Sequence, residues 1–125
     1  MFDMVIRKLG AGLSAASQIR LKEMLAHRKH LRPREDLQRQ GDTPQEVHFV
    51  LEGILCRYKL CGERRAVLTY LLPGDFCGPH PDFDGVMDHG ISSLTAATVV
   101  SVPHHFWREQ LEGNQDMSRA IAALF

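Results

Sequence analysis

The sequence predicts a mainly β domain with flanking helices, an antiparallel roll of jelly-roll type. Three observations point there. Short apolar-alternating runs follow one another from Glu46 to Leu72, and strand character returns at Ile91–Val102. Glycine turns punctuate them at Gly41-Asp42, Gly53, Gly62 and Pro73-Gly74-Asp75. Segments of helical spacing lie only before and after this stretch. Many short strands with regular turns favour a closed or double-sheet antiparallel architecture.

The elements are expected as follows. Residues 4–9 and 13–29 read as helix, the second capped by Ser14, with Ile19, Leu21, Met24 and Leu25 at near-helical spacing. Leu31-Arg32-Pro33 ends it, because the residue before proline is pushed to extended geometry. Strands begin after Glu35. Glu46–Glu52 alternates Val47, Phe49 and Leu51 on one side. Ile54–Leu60 places Ile54, Cys56, Tyr58 and Leu60 on one face, Cys61-Gly62-Glu63 makes a hairpin turn, and Arg65–Leu72 returns. Residues 76–90 are irregular. Ile91–Val102 reads as strand, rich in Thr and Val. After Pro103 the chain turns helical, with Phe106, Leu111, Met117, Ile121, Leu124 and Phe125 as apolar positions. The divisions are residues 1–34, 35–103 and 104–125 of one domain, a size that builds a core without disulfides or metal.

Bulk composition excludes several classes. Fifteen basic and fifteen acidic residues give zero formal net charge. A DNA-binding domain ordinarily carries a basic excess, so any DNA contact is expected from outside these residues. No apolar run approaches the length of a membrane span, and the N-terminus does not read as a signal peptide. With the odd count of three cysteines, this makes the cytoplasm the expected compartment. No phosphate loop, nucleophile elbow or H-E-x-x-H helix occurs, so an enzyme is not expected.

The turn pattern QGD…VHFVLEGILCRYKLCGERRAVLTYLLPGD resembles the Crp/Fnr family of transcription regulators. TAATVVSVP resembles the last strand of that family's roll, and Met87-Asp88-His89 resembles a subgroup common in rhizobia-like bacteria. The resemblance implies a cyclic-nucleotide-binding-type double-stranded β-helix with N-terminal helices and a C-terminal helix. It also implies a small-molecule effector, a homodimer, and a helix-turn-helix DNA-binding domain, which this chain, stopping at Phe125, does not include. The expectation is a sensor domain cut from a longer regulator, or a shortened relative. No membrane partner is implied.

In nucleotide-binding members of the family, a glutamate after the P-G-D turn takes the ribose hydroxyl, and a later Arg-Ser pair takes the cyclic phosphate. Here Gly78 keeps the family's glycine, Pro79 stands in the glutamate's place, and the Arg-Ser pair falls on Met87-Asp88. No Arg or Lys lies between Arg65 and Arg108. A cyclic nucleotide is therefore not expected, and no other cofactor is assigned. The candidate ligand-binding residues are Phe76, Cys77, Gly78, His80, Asp88 and His89. A signal at this loop would shift the helix beginning near Gln115.

Cys77-x-x-His80 with Asp88-His89 gathers metal-ligand types in one loop, but without the tight paired spacing of a structural zinc site. The bland expectation is an inward-packed Cys77 and histidines bonded to loop backbone, so no metal is assigned. All three cysteines are expected as buried structural thiols. No cysteine cluster precedes Cys56, so iron–sulfur sensing is not supported. Arg57, Lys59, Arg64 and Arg65 read as a solvated basic hairpin, and Tyr58, Tyr70 and Phe49 as core. The alternatives are a ligand-free dimerisation module and a small metal-binding cupin-like protein.

Overall fold

The computed structural model describes residues 14–24, 27–79, 84–105, 108 and 109. Among the described residues one helix, α1 (Ala15–Met24), precedes eight strands: β1 (Arg28–Leu31), β2 (Asp36–Gln38), β3 (Glu46–Glu52), β4 (Leu55–Cys61), β5 (Arg64–Leu71), β6 (Phe76–Cys77), β7 (Gly90–Ser93) and β8 (Ala97–Pro103). They form two four-stranded antiparallel sheets, ordered β1-β8-β3-β6 and β2-β7-β4-β5. The expected β-roll is present. All four turn glycines, 41, 53, 62 and 74, adopt positive φ.

Three elements differ from expectation. The helix read over residues 13–29 is described over Ala15–Met24, and Arg28 already pairs with Val100 on β8. His27-Arg28-Lys29-His30 offers a helix no apolar face, whereas an extended chain exposes residues 28–30 and buries Leu31. Strand formation here is a tertiary decision, which local periodicity does not register. The roll accordingly starts at residue 28 rather than 35. Ile91–Val102, read as one strand, is two strands in different sheets, joined by a corner at residues 94–96. At that corner Leu94 N donates to Ile54 O (2.8 Å), and Ile54 N donates to Thr95 Oγ1 (3.1 Å). The β7–β8 corner thus nests against the β3–β4 corner at Gly53-Ile54. At the start of α1, Gln18 N donates to Ser14 O (2.9 Å), as a cap at Ser14 requires. The tail helices after Phe106 and the helix at 4–9 lie outside the described residues, apart from Arg108 and Glu109.

The third difference is the facing of β4. Leu55, Leu71 and Ile91 belong to the core cluster with Leu31, Val50, Cys77, Ala97 and Val99. Residues directly opposite in antiparallel pairs share a face. Arg57 opposes both Ile91 and Thr69, so Arg57 faces inward with Leu55. The row Cys56 and Tyr58 faces outward, and Ile54, Leu60 and Tyr70 are exposed instead of core. Tyr58 is buried nonetheless. It lies across Gly90, where a Cβ would collide with its ring, and donates its hydroxyl to Asp36 Oδ1 (2.9 Å). The Arg65 guanidinium covers the ring at 4.2 Å and bonds Asp36 as well, so this part of the basic hairpin is engaged rather than merely solvated. An extra residue on β5, Leu68, shifts the register between Arg57↔Thr69 and Tyr58↔Val67.

Candidate functional site

The interior of the roll is apolar at one end and polar at the other. Val50, Leu55, Leu71, Ala97 and Val99 fill the first end. At the second, His48 on β3 opposes Cys77 on β6 and Ser101 on β8, so all three share the inward face of their sheet. The His48 ring is 3% exposed, and its Nδ1 lies 2.8 Å from Ser101 Oγ. Burial pulls the His48 pKa down to about 4, with Glu46 raising it and Lys29 lowering it by smaller amounts.

The facing sheet contributes Gln38, opposite Ile91 on the inward face of β2, and Arg57 two strands away. Gln38 Nε2 donates to the backbone carbonyl of His89 (3.2 Å). A cavity of about 210 Å³ opens at this end between the sheets, lined by Leu37, Gln38, Asp42, Pro44, Glu46 and His48 among others. Lys29 Nζ lies 3.0 Å from Glu46 Oε1 at its margin.

The candidate residues named from the sequence separate into two groups. Phe76 and Cys77 form β6, paired with Phe49 and His48. The Phe76 ring rests on Phe49 at 5.2 Å, while its carbonyl accepts from Arg57 Nη2 (3.2 Å). Cys77 is fully buried in the core. Gly78 has φ +130°, and a Cβ there would stand 2.9 Å from Val47 Cα, so the backbones need a residue without a side chain. Asp88 and His89 form the second group. His89 Nδ1 donates to Asp88 Oδ1 (2.8 Å), and this bond is the main reason the Asp88 carboxyl is held below its usual range. His89 Nε2 is buried and has no hydrogen-bond partner among the described residues. His80 lies outside the described residues.

Desolvation pushes the Cys77 thiol up to about 12, against smaller opposing and assisting contributions from Arg57 and Asp75. Burial also raises Cys56. Both buried thiols are thus held in the protonated form at neutral pH in the metal-free fold. Cys61, expected buried, is exposed at the hairpin end. A maleimide is expected to label Cys61 alone in the native protein and all three cysteines in urea. Mass spectrometry after a short pulse checks this, and native labelling of Cys77 would contradict its burial. Among the described residues no three His, Cys, Asp or Glu side chains converge as a metal-ligand set.

Residue-level reading of the sequence missed Arg57, Gln38, His48 and Ser101. The alternation of β4 reads Ile54, Cys56, Tyr58 and Leu60 as one face, which leaves Arg57 on the solvent side, whereas the structure turns Arg57 inward with Leu55. The available signal was Leu55, whose alternation partner is Arg57.

Known structures share this fold. FixK2 from Bradyrhizobium japonicum superposes with a TM-score of 0.71 at 19% identity, over 78% of this chain and 49% of its own. The N-terminal domain of a transcriptional regulator from Streptomyces coelicolor A3(2) gives 0.77 at 19% identity, over 97% and 88%. The catabolite activator protein of Thermus thermophilus gives 0.76 at 17% identity, over 94% and 55%. The chain thus spans about half the length of FixK2 and of the activator protein. No curated protein matches it by sequence. The Crp/Fnr resemblance carried by the turn glycines agrees with these folds. The profile of the cyclic nucleotide-binding domain matches residues 28–114, from the first strand through the whole roll, and the chain belongs to that family.

Proposed function

We propose that the chain is the effector-binding and dimerisation domain of a Crp/Fnr-type transcription regulator, and that its effector is not an ordinary cyclic nucleotide. The observation that carries this is the state of Met87-Asp88, where the phosphate-binding pair of the family would fall. The Met87 side chain is buried, and its backbone is tied to the β2–β3 turn by Gly41 N to Met87 O (2.7 Å) and Met87 N to Asp42 O (2.9 Å). Asp88 presents an exposed carboxylate whose pKa is lowered, and it repels a cyclic phosphate. The loop pair Asp88-His89, whose His89 Nε2 has no partner among the described residues, together with Phe76 and Cys77 on β6 and the adjoining Gly78, frames the effector region. Effector binding there would bias a two-state equilibrium of the dimer, which requires different affinities for the two states. DNA would be read by a separate domain, consistent with the zero net charge of these residues.

Titration calorimetry with cyclic AMP and cyclic GMP tests the reading. No heat from either is expected. Micromolar binding would overturn it and restore a nucleotide cassette.

A second reading, an interaction module without effector, is favoured by the apolar strip of Val67, Leu68, Tyr70 and Leu72, 47–60% exposed along and just after β5. Such a strip is a protein-contact signature. Oligomeric state in the presence and absence of metabolites separates the two, since only an effector-gated dimer responds. No described helix is long and apolar enough to cross a membrane.

A further inference from the structure

Arg57 is a cation turned into the roll. A long basic side chain ordinarily lays its stem on apolar surface and carries its charge out to water. Arg57 does the reverse. It is half-buried on the inward face of β4, and its guanidinium crosses to the opposite sheet to donate to Phe76 O. That is its one hydrogen bond among the described residues, and no carboxylate there pairs with it. Asp75, just before β6, has one carboxylate oxygen committed to Leu72 N (2.8 Å). Asp36, which holds Arg65 and Arg39, lies on the outward side with Tyr58. A guanidinium has five N–H donors, and the described residues account for one of them. A charge drawn from water is costly unless it meets a counter-charge.

Its neighbours on the inward face are both polar and apolar. Across the sheet the inward row runs Thr69, Arg57, Ile91, Gln38. Arg57 and Gln38 stand two strand spacings apart, about 10 Å, on either side of an apolar floor. The other sheet supplies His48 and Ser101, and the cavity along the β2–β3 connection is lined by Gln38 and His48 but not by Arg57 itself. We propose that Arg57 is the anchoring cation of an interior site that takes a small organic anion, a carboxylate or a phosphate, with Gln38 and His48 facing the remainder of the ligand. The guanidinium suits either group because its planar fork matches two oxygens at once, which a lysine cannot do. This rests on reading the chain as an effector-binding domain, and it names the class of effector. The charge comes from a strand of the roll rather than from the loop where the family places it.

The test titrates the full chain with sodium succinate and with sodium phosphate, against sodium chloride of equal ionic strength to remove general screening. Two readouts are followed: the unfolding temperature, and the Arg57 Nε–Hε cross-peak, assigned by its loss in Arg57→Lys. At least one anion is expected to raise the unfolding temperature and move that cross-peak. Arg57→Gln is expected to weaken the affinity by at least about tenfold. If Arg57→Gln does not fold, the cross-peak in the unmutated chain decides alone, and a stationary peak overturns the proposal. Equal stabilisation of Arg57→Gln and the unmutated chain overturns it, as does no response to either anion. Heat from cyclic AMP would sink the non-nucleotide reading without touching Arg57, unless that heat persists in Arg57→Gln, which would sink both.

Discussion

Gly53→Ala is expected to lower the unfolding free energy by about 3–5 kcal/mol, the sum of a backbone strain and a steric term. Gly53 has φ +87°, a region that an alanine enters at a cost. A Cβ there would also stand 2.7 Å from Ala97 Cα and press on the carbonyl oxygen of Ala96. Those atoms are backbone of the β7–β8 corner, which cannot rotate away as a side chain does. The corner is held in place by Leu94 N on Ile54 O, so relief would require opening the joint between the two sheets. Gly41→Ala is the natural control. Gly41 has φ +90°, yet nothing stands within 4 Å of its would-be Cβ. It should therefore show the strain term alone, about 1–2 kcal/mol. Urea unfolding of both variants checks this. If the two lose the same stability, the nested corners do not carry the load assigned to them.

Gly53 also marks what a sequence can disclose about this fold. Turn chemistry is local, so Gly41, Gly53, Gly62 and Gly74 announce the corners, and with them the roll. The facing of β4 is not local. Leu55, Cys56 and Tyr58 are all buried, because Tyr58 lies over Gly90 and under Arg65 on the outer surface. Either row of the alternation therefore looks like core, and exposed Ile54 and Leu60 tip the choice to the wrong one. That error conceals Arg57, which is why the site is legible from the sequence only as a loop. The break between β7 and β8 is hidden for a related reason. Leu94-Thr95-Ala96 contains no glycine or proline, and the corner is set by hydrogen bonds to Ile54 from another part of the chain. The strand at Arg28–Leu31 exists because β8 offers it a partner. Asp88 and His89 are adjacent in the chain, so their pairing needs no tertiary information to be anticipated.

Stability is expected to fall as the pH drops from neutral to about 4, and His48 is expected to be a principal cause. In the unfolded chain this imidazole takes up a proton near 6.5, while in the folded protein burial delays uptake to about 4. The unfolded state therefore binds more protons throughout that window, and linkage makes each step down in pH favour it. Above 6.5 both states are neutral, and the contribution is fully present. Below about 4 both are charged, and it is gone. The pKa difference corresponds to about 3 kcal/mol. The groups that touch this balance are Glu46, which partly restores the proton affinity, and Lys29, which opposes it. Both lie outside the imidazole–hydroxyl bond to Ser101. Carboxylates also titrate toward pH 4, so the informative quantity is the difference between the unmutated chain and His48→Asn, which keeps an amide near Ser101 but carries no proton. Unfolding free energies measured at several pH values should converge for the two proteins as the pH falls, the variant showing the shallower slope. Parallel slopes would mean that His48 is protonated in the fold at little cost, and that the polar end of the roll is far wetter than its 3% exposure indicates. A wet interior there would in turn remove the reason for Arg57 to seek an anion, so the slope of this pH profile bears directly on the site.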